Sequence, residues 1–309
     1  MKIEKIAKTK QEVVFEAEQQ KEVKEGRFNL RHGKITDNCD LIKSELKIDQ
    51  IAGTGIIKGE GIQYQITDIE AVTKAKSGLW IHCQKLLMRI IEGITNRNQT
   101  QLSINIKEFA EKCGVDILKD SAVNQFQKNM MQALKVILNM KITIIQKVKN
   151  KKEEKLTLDQ KLIIGHLEAT KGYLSFIVAD EFKTYINSHY TLKLIPVNIY
   201  KISGKSSNAY CVGMKLSTYN GNNNNKISLQ NILKETSLPK LSDVRKNKNL
   251  RWTNKIRDPF NAVLDELTNV KLLKNYTFVT QNGDKRTREE ANAMTAEQWH
   301  SLYFVYELA

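Results

Sequence analysis

The chain has 309 residues and carries 49 Lys and Arg against 34 Asp and Glu, a formal net charge of +15. An excess of that size favours a polyanionic partner, because neutralising phosphates releases condensed counterions, and nucleic acid is the partner it points to. No apolar run approaches the roughly 20 residues needed to span a bilayer, and the opening MKIEKIAKTKQEVVFEAEQQ lacks the apolar core of a signal peptide. Neither terminus reads as a basic amphipathic helix for a membrane surface, so the expected location is the cytoplasm, with no membrane contact.

Residues 1 to about 75 begin charged and continue as RFNLRHGKITDNCDLIKSELKIDQIAGTGIIKGEGIQYQI. Short alternating runs between glycines suit strands and turns, so this part reads as a β-rich N-terminal extension, either an appendage or an arm ordered against a partner. From Ser77 the pattern sharpens: SGLWIHCQKLLMRIIEGI sets Leu79, Trp80, Cys83, Leu86, Leu87, Ile90 and Ile91 on a helical stripe that reads as core. QLSINI reads as a short strand and IKEFAEKCGV as a helix stopped by Gly114. SAVNQFQKNMMQALKVIL is a longer helix with Val123, Phe126, Met130, Leu134, Ile137 and Leu138 on one face. KITIIQKV and LIIGHLEA then read as a hairpin whose basic tip holds Lys147, Lys149, Lys151, Lys152 and Lys155. Helix, strand, helix, helix, strand, strand is a winged-helix order.

GYLSFIVADEFKTYINSHYTLKLIPVNIY supplies a strand, a short helix and an extended segment leading out of this unit. SSNAYCVGMKLSTYNG follows as a helix by the spacing of Tyr210, Val212, Met214, Leu216 and Tyr219, and ISLQNILKETSLP as a strand turn and a short helix ended by Pro239. In KLSDVRKNKNLR, Lys240, Arg245, Lys246, Lys248 and Arg251 are opposed by Asp243 alone. Next, Ile256, Phe260, Val263, Leu264 and Leu267 recur at helical spacing, which buries one face and turns Lys255, Arg257, Asn261 and Asp265 away from it. Pro259 leaves two readings: Asp258 caps a helix that opens on the proline, or the helix starts near Thr253 and bends there. The Ile256 to Phe260 spacing favours the bend. NYTFV and HSLYFVYEL read as strands flanking the polar QNGDKRTREE, a candidate wing.

The same small architecture is thus expected twice, in an α+β fold of tandem winged-helix domains. Its parts are an extension over 1–75, a first winged helix over 76–200 and a second over 201–309.

INIKEFAEKCGV with QFQKNMMQALKVILNMKI, the passage TLKLIPVNIYKISGKSSNAYCVGMKLSTY, and LRWTNKIRDPFNAVLDEL with its internal proline together resemble the iteron-binding plasmid replication initiators. These are the Rep proteins built from two winged-helix domains. The resemblance spans roughly residues 77 to 308 and lies in order and pattern, without one diagnostic signature. Residues 1–75 have no clear counterpart, GNNNN stands where the family has a more basic linker, and the part after Val270 departs from the family's wing. The resemblance implies an initiator that binds double-stranded origin DNA at direct repeats, helps open the duplex and recruits the host replication initiator and helicase. The second winged helix would be the main DNA reader; the first would contact DNA partially or form a homodimer.

Candidate DNA contacts are Arg251, Asn254, Lys255, Arg257 and Asn261 on the basic helix, because Arg can bridge guanine O6 and N7 and Asn adenine N6 and N7. Arg245, Lys246 and Lys248 would touch phosphate as the chain enters the helix, and Lys285, Arg286 and Arg288 would do so from the wing. Trp252 and Trp299 read as core or as braces for the helix.

Nothing local suggests an enzyme. Cys39, Cys83, Cys113 and Cys211 form no CxxC, and His32, His82, His166, His189 and His300 no HxH or HxxxH pair, so no metal or cofactor is expected. GTGIIKGEG lacks the spacing and GK[ST] ending of a phosphate loop. Two alternatives stay open, a winged-helix transcriptional regulator of palindromic operators and a DNA-nicking replication enzyme.

Overall fold

The computed structural model describes residues 26–37, 42, 45–59, 61–68, 78–147, 154–167, 172–219, 225–246 and 251–309. The chain enters as β1 (Arg27–His32) and a single helical turn α1 (Lys34–Asp37), followed by the meander β2 (Leu46–Asp49), β3 (Thr54–Gly59) and β4 (Ile62–Ile66). Alternation in IQYQI buries Ile62, Tyr64 and Ile66 and leaves the glutamines outward, as a sheet with one covered face requires.

Helix α2 (Leu79–Arg97) is the hub of the first unit. Its predicted stripe is buried apart from Trp80, which packs at the core's edge. Ile81, Gln84, Lys85, Met88 and Glu92 are buried as well, because β1, the strand β5 (Gln101–Asn105) and the long helix over Asp120–Leu138 cover it from several sides. α3 (Ile106–Lys112) opens on Asn105, whose Oδ1 accepts the Lys107 and Glu108 N–H groups at 2.9 and 3.1 Å. α4 (Asp120–Leu138) lays Phe126, Met130, Ala133, Leu134 and Ile137 against α2.

The hairpin departs from expectation. β6 (Met140–Lys147) pairs with β7 (Glu154–Lys161), which begins at the end of the expected lysine-rich tip and runs on through LTLDQK. LIIGHL instead forms β8 (Ile163–Leu167), which turns onto β9 (Tyr173–Val178), itself paired with β5. β7 is too polar for a strong alternating signal: Leu158 is buried, Leu156 exposed, and Asp159 meets Thr143 and Lys141 across the strand at 2.8 and 2.7 Å. Of the five lysines of that expected tip, Lys149, Lys151 and Lys152 lie outside the described residues.

Nor do the N-terminal strands stand apart. The sheet order β2-β3-β4-β6-β7 puts the meander beside the hairpin, while β1 pairs antiparallel with β10 (Thr191–Pro196), the strand that follows α5 (Asp180–His189).

A 3-10 turn (Val197–Lys201) leads to α6 (Ser207–Thr218), β11 (Lys226–Ser228), α7 (Leu229–Leu233) and α8 (Leu241–Lys246). A π turn (Thr253–Arg257) runs directly into α9 (Asp258–Asn269). β12 (Leu273–Val279) and the short β13 (Lys285–Arg286) make a hairpin, α10 (Arg288–Asn292) and α11 (Ala296–His300) follow, and β14 (Tyr303–Leu308) closes the sheet β11-β14-β12-β13. α7 ends at Leu233, well before Pro239.

One core runs through both halves. Lys85 Nζ donates to the Ile202 carbonyl at 2.6 Å, Tyr210 meets Met88, and the Ser203 N–H donates to Glu266 at 3.0 Å. Gly78 sits at φ +92, and a Cβ there would stand 2.7 Å from the Gly204 carbonyl oxygen. Gly78→Ala therefore meets both a left-handed backbone and a main-chain oxygen, and a loss of about 2 kcal/mol or more is expected in urea unfolding. An unchanged midpoint would show that this junction is not closely packed.

Candidate nucleic-acid interface

The basic helix is continuous from Trp252 to Asn269. Arg251 opens it, its carbonyl accepting the Lys255 N–H at 3.1 Å. The Asp258 N–H reaches back to the Thr253 carbonyl, five residues away, so the turn before Pro259 is widened. That resolves the proline: its ring would clash with the preceding turn of a regular helix, and a π turn gives it room. Of the two readings, the helix that begins near Thr253 is the one observed; Asp258 is itself helical and caps nothing.

The apolar face is as expected. Ile256, Phe260, Val263, Leu264 and Leu267 are buried. Trp299 is wholly buried, with Phe260 and Trp252 centred 5.8 and 5.7 Å from it, so both tryptophans act as packing.

The polar face divides in two. Arg251, Asn254 and Lys255 are exposed and fall at i, i+3 and i+4, so they share one side of the first turn. Arg257, Asn261 and Asp265, expected to face solvent together, are each paired within the molecule, and of the three Asp265 alone is exposed as expected. Arg257 donates from Nε to Asp258 at 2.8 Å and from Nη1 to the Asn292 carbonyl at 2.9 Å, with its guanidinium 5.6 Å from the Trp252 ring centre. Asn261 is only 7% exposed and donates from Nδ2 to Asn292 Oδ1 at 3.2 Å, which corrects the expectation that it points outward. Asp265 accepts both terminal nitrogens of Arg288 at 2.5 and 3.0 Å, and those bonds hold its carboxyl below the ordinary range while raising the guanidinium's affinity for its proton.

The remaining candidates are scattered between free and paired. On α8, Arg245 is ion-paired with Glu297, whereas Lys246 is exposed; Lys248 lies outside the described residues. In the expected wing, Lys285 is exposed and Arg286 stands 3.8 Å from Asp284. A tight turn over Thr280 to Asp284, with Gly283 at φ +95, joins the two strands there. Arg288 is not on that loop but on α10, facing the basic helix.

α10 and α11 lie where the sequence predicts only a polar loop and the start of a strand, and they bring Asn292 and Glu297 to the site. Their signal was present: Thr287 and Glu290, then Thr295 and Gln298, have the Thr-x-x-Glu/Gln spacing of a capping box, and both boxes form. Each helix has five residues, too short for apolar periodicity to register.

The acids of the basic helix are therefore all occupied: Asp258 by Arg257, Asp265 by Arg288 and Glu266 by the Ser203 N–H. What it presents freely is a guanidinium, an amide and an ammonium on its first turn. Among the described residues no three His, Cys, Asp or Glu side chains converge as a metal site would require, and no helix is long and apolar enough to cross a membrane.

No family model matches the chain, and no curated protein does. Among solved structures, the crystal structure of Pi initiator protein in complex with iteron DNA matches 92% of this chain and 98% of its own, at a TM-score of 0.51 and 13% identity. The chain has the fold of that initiator. The expected α+β architecture with tandem winged helices is thus the observed one. A second match, to domain 2 and domain 3 of RctB, covers 89% of this chain and 98% of the other at 8% identity; its TM-score of 0.40 is too low to add to the first.

Proposed function

We propose that the chain is a non-enzymatic, sequence-specific DNA-binding replication initiator. The observation that carries this reading is the first turn of the basic helix, where Arg251, Asn254 and Lys255 are exposed together while every acid of the same helix is occupied. Arg251 and Asn254 suit guanine and adenine edges in a major groove; Lys255, Lys246 and Lys285 suit phosphate. Lys248, also in this basic stretch, joins the phosphate set. Arg245, Arg257, Asn261, Arg286 and Arg288 support the surface rather than form it.

Pi initiator protein, whose fold this chain shares, is solved on iteron DNA, and that supports direct repeats as the target here. The unit over 201–309 is the main reader. The unit over 76–200, with the strands of 27–66 in its sheet, contributes a second contact or a homodimer surface. Binding energy spent on bending or opening the origin, and recruitment of the host initiator and helicase, completes the mechanism in the cytoplasm.

Footprinting on the DNA flanking the gene, at stated salt, tests the reading. Several protected direct repeats spaced by about two helical turns are expected. A single protected palindrome would point instead to a transcriptional regulator. Nicked product after incubation with supercoiled origin DNA and magnesium would replace the reading with an enzyme.

A further inference from the structure

Arg257, Asn261 and Asp265 are spaced by four, so they form one ridge along the basic helix. Arg288 and Asn292, also spaced by four, form a ridge on α10. The three residues of the first ridge meet the two of the second. Asn292 takes Arg257 on its main-chain carbonyl and Asn261 on its side chain, at 2.9 and 3.2 Å, and Arg288 forks Asp265. The apolar face already attaches the helix to the core, through Phe260, Leu264 and Leu267. A greasy face fixes that a helix packs but tolerates rotation and sliding; directional polar contacts do not. The ridge begins on the last residue of the π turn, where the helical hydrogen bonding is irregular.

We infer that Arg288 and Asn292 are positioning residues, which set the rotation of the basic helix and thereby the sequence specificity of Arg251, Asn254 and Lys255 without touching DNA themselves. A side-chain head lies about 5–6 Å from a helix axis, so a rotation of about 10° moves it by about 1 Å. That is enough to spoil a bidentate contact to a base edge, which is held to roughly 0.5 Å. A phosphate ion pair tolerates the same shift. Specificity is therefore lost before affinity.

The inference rests on the proposed DNA-reading role, but the clamp itself can be read without DNA. In the full chain, amide exchange over Asp258–Asn269 is measured for the natural protein, Asp265→Asn, Arg288→Gln, Asn292→Ala and the charge swap Asp265→Arg with Arg288→Asp. Each is then titrated with a duplex carrying the footprinted repeat and with a scrambled duplex of equal length, across a salt series. The three single variants are expected to exchange faster and to lose about tenfold or more in the ratio of specific to scrambled affinity. Scrambled binding and its salt slope stay as they were, and the swap recovers most of the ratio. Melting temperature moves little in Asp265→Asn and Arg288→Gln, because the Arg288 and Asp265 side chains are 28% and 55% exposed and pairs so exposed add little to global stability.

Two results would overturn the inference. One is an unchanged ratio in Asp265→Asn and Arg288→Gln. The other is Arg288→Gln weakening both duplexes alike with a salt slope reduced by about one, the behaviour of a phosphate ligand. If the natural protein binds both duplexes equally, the DNA-reading proposal fails while slower exchange in the natural protein still upholds the clamp.

Discussion

Replacing Arg251, Asn254 and Lys255 together with alanine is expected to reduce affinity for the origin repeat by about 100-fold to 10,000-fold while leaving the fold intact. Each bidentate base contact is worth about 1–3 kcal/mol of discrimination, and losing two of them with one phosphate contact gives about 3–6 kcal/mol. Stability should hold, because all three side chains are exposed, and among the described residues their one side-chain hydrogen bond is Asn254 accepting the neighbouring Thr253 hydroxyl at 3.0 Å. Arg257 is deliberately left in place. Its guanidinium ties Asp258, Asn292 and the Trp252 ring together, so removing it would disturb the helix and blur the cause of any loss. Unaltered specific binding by a folded triple variant, in titrations at fixed salt, would move the DNA-reading surface elsewhere on the molecule.

The second large effect concerns stability. Glu92 is 4% exposed and accepts Lys112 at 2.6 Å, Tyr200 at 3.0 Å and Arg89 at 3.2 Å. Lys112 in turn lies 4.5 and 4.9 Å from the ring centres of Phe28 and Tyr200. One carboxylate on α2 thus joins β1, α3 and the turn that leads into the second half. Burial pulls the Lys112 ammonium below its ordinary range, and Glu92 counters that; burial pushes the Tyr200 phenol well above its own. Glu92→Ala strips the largely covered Lys112 ammonium, its side chain 20% exposed, of its carboxylate, a cost of about 3 kcal/mol. Urea unfolding should show it as a shifted midpoint with little change in slope. Glu92→Gln, which keeps an acceptor but not the charge, should lose less. A cost under about 1 kcal/mol for Glu92→Ala would mean that water reaches Lys112 and that the cluster is solvated.

The sequence by itself determined which faces are apolar. The stripes on Leu79–Arg97, Asp120–Leu138 and Asp258–Asn269 are buried as their periodicity required, apart from Trp80, Val123 and Leu138, which are only partly covered, and the alternation in YFVYEL lies in the strand Tyr303–Leu308. Apolar burial is non-directional, so local spacing is enough to announce it. Pairing is different. That β6 takes β7 as its partner, and that the strands of 46–66 extend the same sheet, depends on backbone hydrogen bonds between segments far apart in the chain, which no residue type encodes locally.

Charge was decided by tertiary structure alone. Arg245, Arg257 and Arg288 look as available in the sequence as Arg251 and Lys255, yet Glu297, Asp258 with Asn292, and Asp265 occupy them. Asn261 falls on the outer face by helical spacing, yet it is buried where its amide meets Asn292 of α10. A polar side chain's role depends on what lies within hydrogen-bond reach, and two of these partners, Asn292 and Glu297, come from short helices more than thirty residues further along the chain. The cationic first turn of the basic helix stays free because α10 covers the ridge beside it and not the turn itself.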